Sequence, residues 1–144
     1  MEGKGQVFRK KGESGMFRIL IVEDNNFFRE LLKDTLLSQF PSLDIFEAAD
    51  GKEAIQKVKT LLPDLIFMDI RLGEESGLKI IQKIKAKYPN IIIAILTGYD
   101  LPEYREAARQ YEVDHFLTKG ISTQEDIIGF LESILSARNL RMGS

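Results

Sequence analysis

The sequence predicts an α/β domain of the doubly wound (βα)₅ type, five strands in a parallel sheet with helices on both faces. Three observations lead there. From Phe17 onward, short runs rich in Ile, Leu, Val and Phe alternate five times with longer amphipathic stretches. Several of the short runs, FRILIV and IIIAIL among them, are apolar without alternation, as befits strands covered on both faces. The longer stretches also carry the punctuation of helix ends.

Taken in order, the strands are expected at 17–22, 43–47, 65–69, 91–96 and 114–118. A first helix near 26–39 is capped by Asn25 or Asn26 and closed before Pro41, and a second near 51–61 is capped by Asp50 and closed before Pro63. A third near 77–87 is stopped by Pro89, and Pro102 falls in the first turn of a fourth. Ser122 followed by Glu125 has the spacing of a capping box for a fifth.

With 144 residues, 44% hydrophobic and 29% charged, the chain is long enough for one domain with a real core. Residues 1–16 mix Gly, Lys, Arg and Ser with few apolar residues and read as a disordered leader; 17–139 is the domain and 140–144 a tail. There is no cysteine, which excludes disulfides, thiol nucleophiles and thiolate zinc sites, and His115 is the only histidine. No apolar run approaches the ~20 residues of a membrane span, so a soluble, cytoplasmic protein without a membrane partner is expected. The leader carries four Lys/Arg against two Glu, so a net charge of −2 becomes −4 over residues 17–144. Direct nucleic-acid binding is not expected of so acidic a domain.

Ligands of open α/β sheets gather at the carboxyl ends of the strands. Four of the five ends are chemically marked: Glu23-Asp24 after the first strand, Asp69 after the third, Thr97-Gly98 after the fourth and Lys119 after the fifth. Singly, each has a bland reading as a helix cap, a turn or a solvated lysine. Adjacent parallel strands bring them together, and three converging carboxylates call for a cation. Oxygen-only donors favour Mg²⁺, with Asp24 and Asp69 as ligands and Glu23 reaching the ion directly or through water. Asp69 then qualifies as a nucleophile toward phosphorus, with Thr97 and Lys119 placed to hold phosphoryl oxygens. His115 and the Phe27-Phe28 pair read as packing or surface residues.

The segments FRILIVEDN, DLIFMDIRL, AILTGYD and HFLTKG follow one another in an order that resembles bacterial two-component response-regulator receiver domains of the chemotaxis, single-domain type. The resemblance covers about residues 17–138. It implies a flavodoxin-like sheet of strand order 2-1-3-4-5, with Glu23 and Asp24 as the acidic pair and Asp69 as the phosphoacceptor. It also implies Thr97 as the switch hydroxyl, Lys119 as the active-site lysine and Phe116 as the aromatic rotamer switch. Arg71 takes the position whose backbone carbonyl completes the metal site, and Gly77 that of the glycine closing the loop before the third helix.

Such a domain is not an enzyme toward other substrates; it catalyses only its own phosphorylation and dephosphorylation. The implied phosphodonor is a phosphohistidine on a sensor histidine kinase or phosphotransfer protein. The surface of the fourth helix, fifth strand and fifth helix, with Tyr104, Arg105 and Tyr111 as candidates, signals to an output protein or domain, or pairs with a second copy as a homodimer. Two departures from the family pattern bear on loop rigidity: Leu72-Gly73 replaces a common Met-Pro, and Gly120 replaces the proline after the lysine.

Three readings compete. A phosphatase with an aspartate nucleophile, of the haloacid-dehalogenase kind, needs a second Asp where Arg71 stands. A flavodoxin-like carrier needs a Ser/Thr/Gly-rich loop where the chain reads EDNNFF. A receiver-like module that binds partners without phosphorylation is the third.

Overall fold

A computed structural model describes residues 16–138. The leader expected at 1–16, Met16 aside, and the tail at 140–144 lie outside the described residues. Five strands, β1 (Arg18–Val22), β2 (Asp44–Ala48), β3 (Leu65–Met68), β4 (Ile92–Thr97) and β5 (His115–Thr118), form one parallel sheet in the order β2-β1-β3-β4-β5. This is the expected doubly wound order. Helices α1 (Asn26–Gln39), α2 (Gly51–Leu61), α3 (Gly77–Lys87) and α4 (Pro102–Gln110) make the crossovers, and α5 (Gln124–Ala137) follows β5.

Side chains alternate between the two faces of a strand, and this divides the core. Leu20 and Val22 of β1, Ile66 and Met68 of β3 and Ile93 and Ile95 of β4 pack with Ala54, Ile80, Ile84 and Ala108 under α2, α3 and α4. Their neighbours Ile19, Ile21, Leu65, Phe67, Ala94 and Leu96 pack with Leu32, Leu36, Ile127 and Leu131 under α1 and α5. Both faces are dry, which is why these strands read as continuous apolar runs. Each such fully buried side chain contributes about 1.5–3 kcal/mol.

Asn25 caps α1 by accepting from the Phe28 N–H, and Asp50 caps α2 by accepting from the Glu53 N–H. The fifth cap corrects the sequence reading. Thr123, not Ser122, accepts from the N–H of Asp126, whose carboxylate accepts in return from the Thr123 N–H. Ser122 is occupied elsewhere, its hydroxyl accepting from the Thr118 N–H at 3.0 Å. One further element was not anticipated, a short antiparallel ladder of Arg71–Leu72 with Glu75–Ser76 just after Asp69. It turns through Gly73, whose φ of +62° is open to glycine at little cost.

Candidate functional site

The sheet register brings the chemically marked ends together. Val22 pairs with both Ala48 and Met68, and Thr97 with Thr118, so Glu23, Asp69 and Lys119 each emerge one residue beyond a paired position. Backbone bonds extend the ladders past the strands: Glu23 N–H to Ala48 O at 3.0 Å, Asp69 N–H to Val22 O at 3.1 Å and Lys119 N–H to Thr97 O at 2.8 Å. The side chains therefore leave rigid backbone, and the reactive groups are held by the sheet.

Lys119 joins the acidic residues. Its Nζ donates to Glu23 Oε1 at 2.5 Å and to Asp69 Oδ2 at 3.1 Å. Glu23 and Asp69 are buried, at 3% and 6% exposure, whereas Asp24 is exposed. Burial pushes the Glu23 carboxyl above its ordinary pKa and the Asp69 charge adds to the rise, against the bonds from Lys119 and the Asn25 N–H. Burial works to lower Lys119, but its bond to Glu23 and the charges of Asp69 and Glu23 outweigh it and leave the ammonium above its ordinary pKa. The two shifts differ in origin: burial dominates at Glu23, whereas the neighbouring carboxylates prevail over burial at Lys119.

One carboxylate oxygen from each of Glu23, Asp24 and Asp69 lies within 4.8 Å of the others. Three carboxylates and one ammonium sum to −2 when ionised, which one divalent cation cancels. The donors are all hard oxygens, and exposed Asp24 leaves room for water ligands, so the residues fit Mg²⁺. Asp24 is oriented by the Gly73 N–H, which donates to its Oδ2 at 2.9 Å.

Thr97 is fully buried, and the nearest donor to its hydroxyl oxygen is the Tyr99 N–H at 3.4 Å. Phe116, half-buried on β5, lies on the side of the sheet packed by α4, with the Arg105 guanidinium 4.4 Å over its ring. Arg105 is itself held by both oxygens of Asp100, at 2.6 and 3.0 Å. Phe116 thus stands apart from the acidic cluster and belongs to the α4 side. The Arg71 N–H is 3.4 Å from Asp69 Oδ1, and its guanidinium stacks on Tyr99 at 4.0 Å. The Arg71 charge is thereby engaged by the loop before α4. Tyr104 and Tyr99 beside it raise its pKa.

Three contributions to the site are not legible in the sequence. The ring of Phe28 lies 4.3 Å from Lys119 Nζ, a cation–π contact that the spacing of α1 does not reveal. Gly73 acts through its backbone. Arg29 donates from Nη1 to the Glu23 carbonyl at 2.6 Å, and no pattern of residue types marks such a bond in advance. His115 stacks on Phe130 at 4.5 Å, consistent with packing.

The chain belongs to the response regulator receiver domain family, which matches residues 19–131. It is a receiver domain of the two-component signalling type. Among curated proteins it is 42% identical over 78 residues to a protein-glutamate methylesterase/protein-glutamine glutaminase of Pseudoalteromonas atlantica, covering 54% of this chain and 20% of that protein. It is 28% identical over 110 residues to the probable transcriptional regulatory protein TcrX of Mycobacterium tuberculosis, covering 76% and 46%. The chain therefore spans less than half the length of these relatives. A CheY-like receiver domain protein of Methanospirillum hungatei has the same fold, with a TM-score of 0.79 at 22% identity over 86% of this chain and 97% of that one. The N-terminal domain of an uncharacterized Wolinella succinogenes protein superposes with a TM-score of 0.77 at 29% identity over 85% and 96%. Among the described residues no helix is long and apolar enough to cross a membrane.

Proposed function

We propose that this receiver domain, residues 17–139, accepts a phosphoryl group on Asp69 and answers by reshaping the surface of α4, β5 and α5. The observation that carries the reading is the Lys119 ammonium held between Glu23 and Asp69 at the carboxyl edge of the sheet. In the proposed step an Asp69 carboxylate oxygen bonds to phosphorus while the bond from phosphorus to the donor breaks, its electron pair leaving with the donor. Mg²⁺ held by Glu23, Asp24, Asp69 and the Arg71 backbone carbonyl supplies positive charge for the phosphoryl oxygens. Lys119 pairs with one phosphoryl oxygen and orients the acceptor. Thr97, whose hydroxyl accepts a long bond from the Tyr99 N–H, turns that hydroxyl to another.

That movement of Thr97 vacates space on the side where Phe116 packs. The Phe116 ring then leaves Arg105 and turns inward, which changes what α4 and β5 present, including Tyr104, Arg105 and Tyr111. The donor is a phosphohistidine of a sensor kinase or phosphotransfer protein; the reader is an output protein or domain, or a second copy of the chain. The domain processes no substrate beyond its own phosphoryl group.

Incubation with Mg²⁺ and acetyl phosphate followed by intact-mass measurement tests the reading. One phosphoryl adduct is expected, lost in Asp69→Asn and on removal of Mg²⁺. Wild-type protein that gains no adduct from acetyl phosphate or from a phosphohistidine donor is instead a binding module that works without phosphorylation.

A further inference from the structure

We infer that Arg29, on the first turn of α1, is a positioning residue that sets the direction of the acidic pair; the inference rests on the cation site proposed above. Its guanidinium reaches three acceptors at once. Nη1 donates to the Glu23 carbonyl at 2.6 Å, Nε to Glu47 Oε1 at 2.8 Å and Nη2 to Asn26 Oδ1 at 2.5 Å. The Arg29 side chain is only 15% exposed, and Glu47 is itself held by Lys33 at 3.1 Å.

The Glu23 carbonyl lies in the same peptide plane as the Asp24 N–H, so its direction governs how both side chains leave the backbone. The other side of Glu23 is fixed by its own N–H on Ala48 O, one residue beyond Glu47. Strand β2 therefore grips the acidic pair twice, once through backbone and once through Glu47 and Arg29. A planar fork aimed at three acceptors is a task for arginine; a lysine keeps the charge and loses the geometry. Partners one step behind a cation's ligands typically change its affinity about 10–100-fold when removed.

Binding of Mn²⁺, a hard cation that suits the same oxygen donors, is measured by electron paramagnetic resonance of the free ion, well below each protein's thermal midpoint. Arg29→Lys and Arg29→Gln are expected to weaken binding by about tenfold. Arg29→Lys keeps a thermal midpoint near wild type, and its adduct formation from acetyl phosphate recovers at saturating Mg²⁺. A merely structural role moves the midpoint and leaves the Mn²⁺ affinity unchanged. A folded Arg29→Lys that binds Mn²⁺ as tightly as wild type overturns the inference, and Glu47→Ala with unchanged affinity does so if neither Arg29 variant folds. Wild-type protein that binds no Mn²⁺ overturns the cation site itself, a result seen before any variant is made.

Discussion

Gly77 lies against the backbone of Asp69 so closely that a Cβ at this position would meet the Asp69 carbonyl oxygen at 2.0 Å and its carbon at 2.9 Å. The Gly77 N–H also donates to Ile70 O at 2.6 Å. The first residue of α3 and the proposed acceptor therefore share one tightly packed backbone crossing. Since the atoms in the way are backbone, Gly77→Ala can be relieved only by parting the start of α3 from the backbone of Asp69 and Ile70. We expect it to lower unfolding stability by about 3 kcal/mol and to abolish the acetyl phosphate adduct, as checked by urea melts and intact mass.

Gly73→Pro gives a result opposite to what a family comparison suggests. Proline is common at this position in the family, but here Gly73 has a φ of +62° and its N–H holds Asp24 Oδ2. Proline fixes φ near −65° and has no N–H. The substitution is expected to destabilise by about 1–3 kcal/mol and to weaken cation binding, read by urea melts and a Mn²⁺ titration. A variant as stable as wild type would mean that the turn re-forms without the Asp24 bond.

Lys119 is expected to contribute to the alkaline decline in stability of the cation-free protein. Its pKa is raised on folding, so the stabilisation it gives is fully present below the ordinary lysine value and is lost as pH rises through the elevated one. Lys119→Met leaves Glu23 and Asp69 facing each other without their shared ammonium. It is expected to lose about 2 kcal/mol at neutral pH, with Mg²⁺ restoring part of the loss. Urea melts from about pH 8 to about pH 12 should then show a smaller further decline in the variant than in wild type.

Thr123→Ala removes the hydroxyl of the α5 capping box and should cost about 1 kcal/mol. Ser122→Ala takes away a different bond, the one to the Thr118 N–H beside Lys119. Thermal melts and adduct yield separate them: Thr123→Ala lowers the midpoint with little effect on phosphorylation, whereas Ser122→Ala also slows it by loosening the end of β5.

The contrast between these two neighbours marks what the sequence makes legible. Apolar runs announce the strands and therefore the strand ends, so the placement of Glu23, Asp24, Asp69, Thr97 and Lys119 at one edge of the sheet is legible from position. Side-chain hydroxyls one residue apart compete for the same cap, and only the path of the backbone decides between Ser122 and Thr123. The contacts of Gly73, Arg29 and Glu75 are hidden for a related reason. Gly73 and Arg29 act through backbone groups, and Glu75 accepts from the Gly51 N–H across 24 residues, a pairing that residue types do not advertise. Phe28 packs against the core beneath α1 and also sets its ring against the Lys119 ammonium, a contact that residue type does not announce.

The ion pair of Lys119 with Glu23 joins groups 96 residues apart in the chain. Synthesis delivers the acidic pair first and the lysine after four strands have been made. A ribosome-bound chain ending before β5 holds all three carboxylates and lacks the ammonium that balances them. Such an intermediate should be unreactive toward phosphodonors, so competence to receive a signal arrives together with completion of the sheet. This long-range closure, made only once β5 is in place, is thus expected to withhold reactivity until the sheet is whole.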